Sequence, residues 1–143
     1  MPQLKKFNAQ DISNMVWSFE KIGASNPRLF EEVGNHIVSL NDLEKFKPQK
    51  LSNILLAFVK SGQQNPDLLK KVADHIVEQD NLEDFNSQDL SNTLWAFAKA
   101  RESNPMLFEK VASHILALDS LHSTIHAKAC TQILRGFATA KVR

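Results

Sequence analysis

Cysteine occurs once in the 143 residues, at Cys130, which excludes an internal disulfide and a Cys-rich zinc site. Glycine is scarce as well. Four glycines lie scattered along the chain, and without a cluster of them there is no phosphate-cradling loop. No apolar run is long enough to cross a bilayer, and Met1 is not followed by a basic-then-apolar leader. The chain is therefore expected to be intracellular. Nowhere do apolar and polar residues alternate with the period of a strand. Neither sign of charge dominates, and a formal +1 by itself points to no polyanion.

What is present is a repeat. Phe7, Phe46 and Phe85 each open the same sentence, 39 residues apart, a period that marks a helical solenoid. Leu4, Leu43 and Leu82 keep the same interval, so the chain is expected to begin inside the tail of a preceding unit. Its length suits one domain with a real core. The expected architecture is all-α: a single domain over 1–143, a right-handed α-solenoid of helical hairpins of about 39 residues. The repeats cover 7–45, 46–84 and 85–123, followed by a partial repeat or cap over 124–143. In that last segment one extra residue near Thr124 gives Ile125 the role of Phe7 and Phe137 that of Phe19.

Each repeat follows one grammar. Asn8 caps a first helix with Asp11 three residues on, a carboxylate variant of the capping box. Ile12, Met15, Val16, Phe19 and Ile22 then form an apolar stripe. Gly23 suits a left-handed helix end. Asn26 and Pro27 restart the chain as N-cap and first helical residue, and Leu29, Phe30, Val33, Ile37 and Leu40 make the second stripe. The next repeat runs from Lys47-Pro48 through Gly62 and Asn65-Pro66. The third runs from Asn86 and Asp89 to Asn104-Pro105. Arg101 stands where the others have glycine, which predicts a less sharply defined helix end.

A second stripe is polar. Gln10, Asn14, Trp17 and Lys21 share one face of the first helix, roughly opposite the apolar one. Gln49, Asn53, Leu56 and Lys60 repeat it, then Gln88, Asn92, Trp95 and Lys99. The partial repeat offers Lys128, Gln132, Arg135 and Thr139. Two readings compete. Recurring Asn and Trp can be a packing device, the amides satisfying carbonyls and the indoles filling a seam between units. They can equally form a nucleic-acid groove, with amides on base edges, flat side chains stacked on bases and lysines on phosphates. Charge favours the groove mildly. Residues 7–24, 46–62, 85–102 and 125–143 hold 10 Lys/Arg against 4 Asp/Glu, and the remainder holds 7 against 12. At about one base per repeat and about 1–3 kcal/mol per stacked base, affinity is expected to be micromolar or weaker.

Nothing amounts to a catalytic signature, so no enzyme activity, cofactor or metal is expected. His36, His75 and His114 recur on the second helices, and equivalent helices of adjacent hairpins sit about 10 Å apart, too far for a shared metal ion. Half-buried, hydrogen-bonded histidines are expected instead. Ser13, Ser52 and Ser91 lack a paired base and read as helix-packing residues. Cys130 takes the register of Ile12 and reads as a small core residue.

The pattern Phe-x-x-Gln-x-Leu-Ser-Asn-x-x-Trp-x-Phe-x-Lys, followed by a Pro-started helix with Leu-Phe-Glu-x-Val, resembles the octotricopeptide-like repeats and the related repeats found beside RAP domains. The likeness covers nearly the whole chain. It implies an α-solenoid that binds single-stranded RNA in a mitochondrion or chloroplast and acts on transcript processing, stability or translation. Gln10, Asn14, Lys21 and their equivalents are the contacts it implies. The competing expectation is a protein-interaction scaffold holding a peptide or helix in the same groove.

Overall fold

A computed structural model describes residues 2–24 and 26–122. They are all-helical, with no strand among them. A short 3-10 turn, Pro2–Lys6, leads into α1 Ala9–Lys21, α2 Pro27–Ser39, α3 Pro48–Lys60, α4 Pro66–Val77, α5 Ser87–Lys99 and α6 Pro105–His122. The chain divides into two compact units, one ending at Val72 and the next beginning at Ala73. The expected terminal helix and partial repeat, with Cys130, lie outside the described residues.

The helix boundaries come from short-range hydrogen bonds. Asn8 accepts from the Asp11 N–H at 2.7 Å, and Asp11 accepts from the Asn8 N–H at 3.0 Å. Asn86 and Asp89 form the same reciprocal box at 2.7 and 3.1 Å. Each box satisfies two donors that a helix start leaves unpaired. Asn26, Asn65 and Asn104 accept from Leu29, Leu68 and Leu107 at 3.1, 3.0 and 3.1 Å, so every second helix starts on a capping asparagine.

First helices end alike. Gly23 and Gly62 sit at φ +69° and +75°, where a side chain is strained. The next residues, Ala24 and Gln63, return their N–H groups to Phe19 and Phe58 at 3.0 and 2.9 Å, closing a Schellman turn. The third such end corrects the sequence expectation. Arg101 takes φ +60°, and Glu102 donates to Phe97 at 2.9 Å, so this end is as sharply defined as the others. The arginine bears the strain that glycine avoids, about 1–2 kcal/mol. Arg101→Gly is therefore expected to raise stability by about 1 kcal/mol in chemical denaturation, and a lower midpoint would contradict the strain.

In the first unit, α1 packs against α3. Ile12, Val16, Phe30, Val33, Ile37, Leu51, Leu55 and Phe58 are buried there, as the apolar stripes require. Ile22 departs from its stripe at 79% exposed, because it is the C-cap of α1 and the turn at Gly23 carries it off the buried face. Phe30 and Phe58 meet edge to face, 5.0 Å apart at 76°. Gly34 is a close approach: a methyl there would sit 2.2 Å from Asn65 Nδ2, the residue that caps α4. Lys71 Nζ also donates to the Leu40 carbonyl, placing a cation where the dipole of α2 is negative.

In the second unit Leu82, Phe85, Leu90, Leu94, Phe97, Leu107 and Val111 are buried. Lys110, one period after Lys71, donates to the Val77 carbonyl at 2.9 Å and to that of Gln79. Ser13, Ser52 and Ser91 are buried, with Ser52 and Ser91 Oγ donating to the Gln49 and Ser87 carbonyls at 3.1 and 2.8 Å. They pack helices, as their register predicts.

Candidate nucleic-acid interface

The polar face of each first helix is accessible. Gln10, Asn14, Trp17 and Lys21 on α1 are exposed. Gln49 and Lys60 on α3 are exposed and Asn53 half-buried, and on α5 Gln88, Trp95 and Lys99 are exposed and Asn92 half-buried. None of these residues is sealed inside the protein. Lys128, Gln132 and Arg135 lie outside the described residues.

The indoles stand out. Trp17 is 45% and Trp95 39% exposed, although a tryptophan is usually well covered. Lys21 Nζ lies 5.4 Å from the Trp17 ring centroid, a cation–π contact worth about 0.5–1 kcal/mol at such a site. It also stands 3.9 Å from Glu20, an exposed pair that adds little. On α5, Gln88 Nε2 donates to Asn92 Oδ1 at 2.8 Å. That bond fixes the Asn92 amide with its NH₂ available to an acceptor, while Gln88 keeps its own carbonyl oxygen. Between them the two faces carry flat rings, cations and, on α5, an oriented amide pair, groups that can stack on a base, neutralise a phosphate and read a base edge.

Asp89, off this face near the start of α5, is a buried carboxylate. Loss of hydration raises its pKa above the usual value, partly offset by the Asn86 N–H that it accepts. A carboxyl with a raised folded pKa contributes most while protonated, and that contribution is lost as pH rises through the folded pKa. Asp89→Asn should therefore gain thermal stability relative to the native chain as pH rises from the acid side of the carboxylate range to neutral. Melting curves at the two pH values check this, and a gap that narrows on the way to neutral pH would refute it.

His36, His75 and His114 are half-buried, and the His75 ring approaches Gln79 Nε2 at 3.4 Å. Among the described residues no cluster of metal-ligating side chains occurs, and no helix is long and apolar enough to cross a membrane.

No curated protein and no solved structure matches the chain. The family model described as RNA-editing substrate-binding complex 6 protein does match, over residues 2–143. With that coverage, the chain belongs to the RNA-editing substrate-binding complex 6 protein family.

Proposed function

We propose that the chain is a non-enzymatic module that binds single-stranded RNA along the polar faces of its first helices. The observation that carries this reading is the pair Trp17 and Trp95, at one register position and both left open to solvent. Burying them in a seam between hairpins would have supported a packing role. An exposed indole beside a lysine on α1, and one sharing a face with an oriented amide on α5, suit stacked bases with their phosphates. Family membership supports an RNA substrate and protein neighbours in a complex. The likeness to octotricopeptide-like repeats supports the same ligand, a role in transcript processing, stability or translation, and a mitochondrial or chloroplast location.

Titration with short single-stranded RNA, followed by tryptophan emission, tests the reading. The expected result is a saturable change in emission that Trp17→Ala and Trp95→Ala each weaken. RNA that leaves emission unchanged, with a peptide or helix that changes it, would assign the faces to a protein partner instead.

A further inference from the structure

The first unit carries a second feature that the register of the repeats did not reveal. A cleft of about 780 Å³ opens where the leading 3-10 turn, the starts of α1 and α3 and the end of α2 meet. Lys5, Lys6, Lys45, Lys47 and Lys50 line it, and no acidic residue does. Among the described residues none of these five lysines is paired with a carboxylate. The floor is apolar, with Ile12 and Phe46 buried beneath it. Phe7 is 38% exposed at its edge, whereas Phe46 and Phe85, at the same register position, are 6% and 7% exposed.

The start of α3 gives this cleft its meaning. Where α1 and α5 have the Asn and Asp of a capping box, α3 has Lys47 and Lys50, and Lys47 makes no side-chain cap hydrogen bond. A missing cap costs about 1 kcal/mol, and cations at a helix N-terminus oppose its dipole by about 0.3–1 kcal/mol each. One period after Lys45, Lys47 and Lys50 stand Asp84, Asn86 and Asp89. The basic cluster is thus confined to one place, where the helix forgoes its own stabilising pair. An anion in the cleft would offset both costs.

We infer that this cleft anchors a phosphate-bearing segment of single-stranded RNA, the lysines holding successive phosphates and the Phe7 ring taking a base. The volume falls in the range of about 300–1,000 Å³ found for ligand sites. Gln10, on the proposed α1 face, also lines the cleft, so a strand lying along α1 can continue into it. The inference rests on the RNA reading of that face. An acidic peptide would use the lysines but leave the exposed ring and the amide without a role.

The double variant Lys47→Asn, Lys50→Asp writes the capping box of α1 and α5 into α3, so it should fold at least as well, with a thermal melt as the check. Titrated with a short oligouridylate over a range of salt, it is expected to lose about tenfold in affinity. Its salt slope should flatten by about 1.4, at about 0.7 per phosphate contact. Phe7→Ala should lower affinity with little change in slope. Arg28→Glu, exposed on α2 outside the cleft, serves as a charge control and should lose much less. Native slope and affinity in the double variant, with tryptophan emission still responding to RNA, would overturn the cleft and leave the helix faces standing. A control that loses as much as the double variant, or a cleft that takes only polyglutamate, would overturn it too. A native chain that binds no RNA would sink both readings.

Discussion

Trp17→Ala and Trp95→Ala are each expected to weaken single-stranded RNA binding by about 1–3 kcal/mol, roughly 5- to 150-fold, the range for losing one stacked base. Both residues are partly covered, at 45% and 39% exposed, so some stability is lost with each indole. Affinity should fall in protein that a thermal melt shows to be folded at the assay temperature. The signal is specific, since the chain has two tryptophans and no tyrosine. In Trp17→Ala emission reports Trp95 alone, and the reverse variant reports Trp17. Lys21 Nζ lies over the Trp17 ring, a contact worth less than a stacked base. Lys21→Ala should therefore cost less than Trp17→Ala, about 0.5–1 kcal/mol, and should flatten the salt dependence, whereas removing the indole should not. Two alanine variants that bind RNA like the native chain would remove the stacking surface from the account.

The largest effect on stability is expected at Phe30→Ala, about 3–5 kcal/mol. Phe30 is fully buried on α2 and meets Phe58 of α3 edge to face. It therefore ties the second helix of one hairpin to the first helix of the next. Truncation opens a cavity and removes an aromatic pair worth about 0.5–1.5 kcal/mol beyond its buried area. Small proteins hold only about 5–15 kcal/mol in total, so this one change should remove a large share. Urea denaturation is the measurement, with a lower midpoint and an unchanged slope expected. Leu29→Ala, one residue away but half-buried, should cost clearly less. Equal losses at the two positions would mean that the Phe30–Phe58 contact does not hold the hairpins together.

By itself the sequence determined whatever depends on neighbours a few residues away. The capping boxes at Asn8 and Asn86, the Asn-Pro restarts and the apolar stripes were all legible, because a helix joins residues three and four apart. The 39-residue period then carried one hairpin's grammar to the next. Even so, local rules misjudged two helix ends. Arg101 enters the left-handed region because the Schellman bonds at that turn outweigh its strain, and Ile22 is swung into solvent by the turn that follows it.

Tertiary structure alone decided which of several equivalent residues meet water or one another. Phe7 is open and Phe46 closed at one register position, since only packing from outside the repeat can cover a ring. Lys71 and Lys110 reach carbonyls 31 to 33 residues back, a contact that no local pattern encodes. The cleft is the clearest case. Its lysines come from a leading turn, a hairpin's tail and a helix start, segments that charge counting along the chain placed in different groups. Folding brings them to one place because hairpins pack side by side, and proximity across that packing is independent of order along the chain.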